Sequence, residues 1–479
     1  MIAIFLVIEL TPIFETTMIS TALPTLMGVF EVDIATISWL ITIFTLVGTG
    51  TAAIAGRLGD LYGRKRVIIT LMAISTLGSI LSVITGTFVG VLIGRALQGT
   101  CAGIFPLLIG LARESDTPKR VSLLASLTSG VSVIGGALGA LFAGILLDTS
   151  GWHSMFVASA ALAILAIIGA LFLPRSTLNA TSEASGRLDI IGALLLAPAI
   201  AALLFGLTIS RAQGLSPAVL GFVAGGLLLL AFWIVWELKV ANPMFNLRLF
   251  RNRSLVLAFA ATAFVAMGVM AGPQLLTPVL QQSPVGLPVG LGLTPTVAGL
   301  FALIAGVVSF VIAPFAGRVA GRFGAKFVLL AGIGLGVVGY SSFFIAVHDL
   351  VLATIGIVVA GVGTALVVVA VPLLIVEIVP PEETSEAVGL VYVTGRTIFT
   401  SVGVAVIAVL LTTATVPDTT MPTLAAWYLA VGFVVLSGAA GFVTAVAIRR
   451  AKPLDERTGL GARADSAEPE ATPAPAAAA

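Results

Sequence analysis

The sequence predicts an all-α membrane protein of fourteen transmembrane helices, built as two six-helix bundles separated by two linker helices. Three observations lead there. The chain is 58% hydrophobic and 10% charged, with a mean hydropathy of +1.16, against roughly 45–50% and 25% in soluble chains. Apolar blocks of about 20 residues, enough to cross a bilayer as a helix, recur from one end to the other. One loop sequence also occurs twice at a fixed interval.

In chain order, six apolar spans fall near 2–26, 36–55, 67–86, 88–111, 121–147 and 154–174. Two more lie near 188–209 and 217–238, and six near 255–280, 295–316, 327–347, 350–376, 386–414 and 424–448. The first block follows Met1 without a basic leader, so it is expected to be a retained helix and not a cleaved signal. The expected domains are an N-terminal bundle over 1–174, the linker helices and a cytoplasmic loop over 175–253, a C-terminal bundle over 254–448 and a disordered cytoplasmic tail over 449–479. The tail is charged and then Pro/Ala-rich, a composition that builds no core.

Basic residues accumulate in short cytoplasmic loops, which tests the span count independently. Starting from the cytoplasm, of 24 Lys and Arg only Arg211 falls in an external loop, and two, Arg95 and Arg396, fall within spans. The bias places both termini in the cytoplasm. All five tryptophans lie near span ends, where an indole ring prefers the interface.

The repeat appears in "GRLGDLYGRKR" (Gly56 to Arg66) and "GRVAGRFGAKF" (Gly317 to Phe327), which share Gly, Arg, a later Gly and a basic residue at a constant offset of 261. Each joins the second and third spans of a six-span half, an arrangement suited to two bundles that rock about a midplane site. Gly56 and Gly63 suit a tight turn and close helix approach. Asp60 offers a carboxylate to neighbouring cations or to a helix N-terminus, and with Gly56, Gly63 and Arg64 is expected to form a conformational latch. Gly321 stands where the second copy would carry the aspartate.

"GRLGDLYGRKR" resembles the loop signature of the major facilitator superfamily, and "FETTMISTALP" (Phe14 to Pro24) resembles the first-span signature of its fourteen-span drug:proton antiporter branch. "LIGRALQGTCAG", "GWHSMF" and "EAVGLVYVTGRTIFTSVGVAVI" resemble further segments of that branch, so the resemblance covers nearly all of the chain except the tail. It implies a secondary transporter that exports small hydrophobic or amphipathic compounds, such as drugs or toxic metabolites, in exchange for protons. Span five departs from the pattern: the branch has a Gly-Pro pair followed two residues on by Gly-Gly, whereas this chain runs Gly135, Gly136, Ala137, Leu138, Gly139, Ala140. The proline is missing, so the helix keeps its hydrogen bond there. The four-residue spacing of Gly135 and Gly139 still provides a stripe for helix packing.

A charge in the hydrocarbon core costs about 2.5–3.5 kcal/mol on insertion scales, so each one present should face a cavity or a partner. Four lie within spans: Glu9, Glu15, Arg95 and Arg396. At about 1.5 Å per residue, Glu15 lies roughly 16 Å below the outer end of its span and Gln98 roughly 15 Å deep, with Arg95 one turn above Gln98. Glu15, Arg95 and Glu9 are therefore the candidates for proton coupling, Glu9 nearer the cytoplasmic water. The family pattern usually has aspartate at the position of Glu15. A carboxyl in a cavity opening alternately to each side could load and release a proton, and a substrate cation would compete for the same charge. The expected substrate path adds Gln98, Gln274, Gln281 and Arg396.

Other functions fit poorly. No Walker sequence is present, so ATP is not the expected energy source. One cysteine and two histidines leave little for a metal site, and the scattered charges do not assemble an enzyme's acid, base or nucleophile set. A net charge of +2 gives no reason to expect nucleic acid. No cofactor or metal is expected; the partners are a small molecule, protons and lipid, and the chain is expected to be monomeric in the cell membrane. A proton-coupled symporter, an exporter dedicated to one metabolite and a non-transporting sensor stay open on sequence.

The topology can be checked with a reporter that works only in the cytoplasm. Fusions after Arg450 and within 176–186 are expected to be active; activity at 283–290 would overturn the orientation.

Overall fold

The computed structural model describes residues 2–115, 118–173, 189–214, 216–240, 243, 247–380 and 387–448. The expected disordered tail over 449–479, and the loop ahead of the first linker helix, lie outside the described residues. Among the described residues the fold is all-helical, apart from a single bridge between Thr415 and Pro422.

In the first half, α1 (Ile2–Phe30) leads through a short turn of helix into α2 (Trp39–Tyr62), followed by α3 (Arg64–Thr85). The fourth expected span is broken into α4 (Phe88–Gly99), a 3₁₀ turn at Thr100–Gly103 and α5 (Ile104–Ser115). Then come α6 (Pro118–Ser150) and α7 (His153–Leu171). Next come α8 (Ile190–Gln213) and α9 (Pro217–Lys239), the pair expected to act as linkers. In the second half, α10 (Arg253–Val265) passes through a π-helical turn, Ala266–Met270, into α11 (Gly272–Gln282). α12 (Pro295–Phe323), α13 (Ala325–Ser341) and α14 (Leu350–Ile378) follow, and a second π turn, Gly389–Gly395, opens α15 (Arg396–Leu411) ahead of α16 (Leu424–Ala447). Polar residues start these helices where the sequence allows: the side chains of Thr87, Ser216, Thr294, Asp349 and Thr423 each accept a backbone N–H of the first turn.

Twelve of the described helical stretches are long and apolar enough to cross a membrane. The other two expected spans coincide with α6 and α8, whose apolar stretches among the described residues, Ile134–Ser150 and Leu195–Ser210, are shorter. The chain is a multi-pass membrane protein.

The repeated loop folds alike in both copies. Gly63 and Gly324 each turn the chain at φ +88°, a conformation that favours glycine. Two residues on, Lys65 donates from Nζ to the carbonyls of Leu171 and Leu173 at the end of α7, at 2.6 and 2.7 Å. Lys326 repeats this at the end of α16, reaching the carbonyls of Val446, at 2.7 Å, and Ile448. A lysine at a helix C-terminus satisfies carbonyls that have no intrahelical partner and meets the negative end of the dipole. Gly56 does not permit the close approach expected of it: a Cβ there would meet open space, whereas one on Gly59 would strike the Leu107 side chain at 2.5 Å. Asp60 pairs with Arg64 one turn on, at 3.0 Å, a part-buried i,i+4 contact of a kind worth about 0.3–0.5 kcal/mol on helix surfaces.

The halves meet most closely at the end remote from these loops. One hydrophobic core runs through the second half and continues there into Met18, Leu23, Leu26, Ile37, Leu147 and Phe156 of the first. At the loop end the first half keeps a separate core of its own, around Phe5, Ile8, Ile68, Met72, Ile104 and Leu108. Asp148 on α6 accepts the Thr296 backbone N–H at the start of α12 at 2.9 Å, and Gln282 donates to the Thr21 carbonyl at 2.8 Å. Thr45 and Ser401 share a hydrogen bond between α2 and α15. The linker pair lies against the same α2–α15 seam, where Trp39 Nε1 donates to Thr208 Oγ1 at 3.2 Å.

The small-residue run of span five thus serves two neighbours. Gly139 lies against Thr17 and Phe14 of α1, while Gly144 lies against the backbone of Pro295 on α12. A Cβ on Gly144 would stand 2.3 Å from the Pro295 carbonyl oxygen, which cannot yield as a flexible side chain could. Gly144→Ala is therefore expected to cost about 1–3 kcal/mol through overpacking, read as a lower thermal midpoint of the purified protein. Gly432→Ala, where a Cβ meets nothing within 4 Å, is the control and should leave the midpoint unchanged.

Candidate functional site

Glu15 lies halfway along α1 with its side chain fully buried, 0% exposed. Its carboxylate points into the first half. Oε1 accepts the Ser75 hydroxyl from α3 and the Ser159 hydroxyl from α7, the latter at 3.0 Å. Oε2 is buried with no hydrogen-bond partner among the described residues. The Cys101 thiol, in the 3₁₀ turn after α4, lies close enough to interact with the carboxylate.

Arg95 on α4 is 1% exposed. Its Nη1 donates to the Glu15 carbonyl oxygen at 2.8 Å and to Gln98 Oε1 at 2.9 Å, and its Nε donates to the Leu40 carbonyl at 3.1 Å. The guanidinium also sits over the Phe44 ring, 4.1 Å from its centroid, a favourable cation–π geometry. The two residues expected to face each other as charges do meet, but through the Glu15 backbone, while the carboxylate takes its hydrogen bonds from serines.

Gln98 closes the network. Its Nε2 donates to Ser79 Oγ at 2.7 Å and to Ser159 Oγ at 3.4 Å, and the Ser79 and Ser159 hydroxyls are 3.1 Å apart. Arginine reaches so deep because α4 lies almost on the backbone of α3: a Cβ on Gly94 would stand 2.5 Å from the Gly78 carbonyl oxygen. Sequence spacing had already placed Glu15 and Gln98 at one depth, and the structure joins them through Ser159.

Glu9, the third of the expected proton-coupling residues, is 5% exposed and lies on α1 six residues before Glu15. Gln274 and Gln281 lie on α11 and Arg396 opens α15, in the second half; the Glu15 network is built from α1, α2, α3, α4 and α7 of the first. Gln274 Oε1 is buried with no hydrogen-bond partner among the described residues, and Gln281 is buried. The sequence reading passed over Ser75, Ser79 and Ser159, and also Gln282, which bridges the halves. The signal for the first two was present: Ser75, Ser79 and Ser82 recur on one face of an apolar helix. Ser159 shares its span only with Ser154 at the span's start, and offered none.

A buried arginine serving three acceptors on three helices is expected to carry much of the stability of the first half. Each acceptor left unpaired in the interior costs about 1–3 kcal/mol. Arg95→Ala should therefore lower folded yield in the membrane as well as activity, and Arg95→Lys, which has no planar fork, should recover it only in part. Thermal midpoint and membrane level of the purified variants check this.

A family model described as Major Facilitator Superfamily matches residues 7–290 and 276–476. A relative named for multidrug resistance, MdtD of Escherichia coli O81 (strain ED1a), is 29% identical over 326 residues, covering 66% of this chain and 65% of that protein. The matched region thus spans slightly under two-thirds of the relative's length. Among solved structures, a point mutant of the nucleoside transporter NupG superposes with a TM-score of 0.65 at 14% identity, covering 92% of this chain and 99% of that one. A D-xylose–proton symporter gives a TM-score of 0.65 at 15% identity, covering 94% and 97%. At these identities the solved structures speak to the fold.

Proposed function

The chain belongs to the major facilitator superfamily, a family of membrane transporters and not of enzymes, and on that premise we propose that it exports small hydrophobic or amphipathic compounds by proton antiport. The observation that carries the reading is Glu15: a carboxyl 0% exposed in the middle of a membrane helix, with one oxygen held by two hydroxyls and the other without a hydrogen-bond partner among the described residues. Intramembrane carboxyls are costly and mark ion pathways. The likeness to a relative named for multidrug resistance supports the direction and the breadth of substrate.

In this reading the molecule sits in the cell membrane with fourteen spans, α6 and α8 completing the count, and both termini in the cytoplasm. It works as a monomer of two six-helix bundles, over 1–174 and 254–448, with the linker pair between them. Close contact of the halves at the end remote from the basic loops corresponds to a state that receives substrate from the cytoplasm. Substrate enters between the halves, where Gln274, Gln281 and Arg396 of the second half and Gln98 of the first contribute to its path. Rocking to the outward state releases substrate and lets a proton reach Glu15; the return stroke delivers that proton inside. Asp60 and Arg64 act at the loop end, which must close in the outward state.

Efflux from vesicles under an imposed pH gradient tests the reading, at matched membrane levels and with a panel of cationic dyes and neutral antibiotics. Glu15→Gln is expected to abolish coupled export and Glu15→Asp to retain part of it. Wild-type coupling in Glu15→Gln would remove this residue from the mechanism.

A further inference from the structure

Around Glu15 the direction of the hydrogen bonds that run from Arg95 through Gln98 to the serines is set by one residue. Arg95 can only donate, because a guanidinium has no acceptor. The oxygen of the Gln98 amide therefore faces Arg95, at 2.9 Å, and its NH₂ faces the serines. That group in turn can only donate, to Ser79 at 2.7 Å and Ser159 at 3.4 Å. With a lone pair engaged from the Gln98 side, each hydroxyl keeps one proton to donate: Ser159 gives it to Glu15 Oε1 at 3.0 Å, and Ser79 has both the Ser159 hydroxyl, at 3.1 Å, and the Ser75 backbone carbonyl, at 3.3 Å, within reach. Ser75, Ser79, Gln98 and Ser159 are all 0% exposed, so no bulk water competes for these bonds.

Resting on the reading of Glu15 as the proton-coupling carboxyl, we propose that Ser79 and Ser159 are positioning residues that carry the influence of Arg95 to it along a one-way hydrogen-bond chain. The chain, with Ser75, occupies Oε1 and leaves Oε2 as the atom at which the proton is held and exchanged. Arg95 thus acts on the carboxyl without touching it. Besides Arg95, the titratable group close to the Glu15 carboxylate is the Cys101 thiol in the turn after α4, and Glu9, on the same helix as Glu15, acts on that thiol. On the surrounding helices the described charged side chains, Asp60, Arg64, Lys65, Arg66, Asp148 and His153, sit towards helix ends.

The test is the pH profile of efflux in vesicles, measured with substrate KM in the full-length protein. Ser159→Ala is expected to displace the midpoint of the profile by about one pH unit, the worth of one hydrogen bond to a charged group, with KM changed less than about twofold. Ser159→Thr keeps the hydroxyl and should restore the wild-type midpoint. Ser82→Ala removes a buried serine that lies on α3 outside the chain and donates to the Gly78 carbonyl; it should leave the profile alone. If Ser159→Ala does not reach the membrane, Ser79→Ala breaks the chain one link earlier and is expected to displace the midpoint too. An unchanged midpoint in whichever of the two is expressed overturns the proposal. Glu15→Gln in the same assay separates the two levels: a wild-type profile there defeats the assignment of Glu15 itself, whereas loss of pH dependence there with an unmoved serine variant defeats only the chain.

Discussion

A cation buried in the hydrocarbon layer has to be met by acceptors, and the way Arg95 is met organises the first half of this transporter. Leaving the guanidinium unmatched would cost several kcal/mol. Its donors go instead to carbonyls of α1 and α2 and to the side chain of Gln98 on its own helix, and its face rests on Phe44. Three helices are thereby tied at one level of the membrane. That level is also the level of Glu15, so the same bonds that hold the bundle together place its carboxyl among the serines of α3 and α7.

Contacts within a half and contacts between halves differ in kind. Inside the first half, polar groups around Glu15 are buried and linked, and Lys65 ties the start of α3 to the end of α7 nearer the surface. Between the halves, backbone lies against backbone at glycine, as at Gly144 and Pro295, with a few polar bonds such as Asp148 to Thr296. Linked buried networks resist distortion; close apolar faces with few hydrogen bonds separate with less left unsatisfied. That difference is what the proposed movement of the halves as units would need.

Much of this was legible in the residues. A bilayer demands about 20 apolar residues per helix, so spans could be read from hydropathy, and twelve described helical stretches are long and apolar enough to be such spans. The duplicated loop was visible because a sharp turn needs glycine, and Gly63 and Gly324 take the same φ of +88°. Glu15, Arg95 and Gln98 stood out because ionised or amide groups are rare in such surroundings. The serines did not, since a hydroxyl in a helix can satisfy itself on a carbonyl four residues back, as Ser79 does on Ser75 at 3.3 Å.

Composition, span length and charge bias were enough to determine a multi-pass membrane protein with polar residues at one depth in spans one and four, because those properties depend on the solvent around each segment and on local helical geometry alone. Packing decided the rest. That Arg95 binds the backbone of Glu15 and not its carboxylate, that Gly59 and not Gly56 lies at the close approach, and that Glu9 is buried all depend on how each helix is rotated about its axis and which neighbour it meets. Helical spacing places residues on a common face; the direction in which that face looks is set by side chains from helices far away in the chain, and no local pattern carries that information.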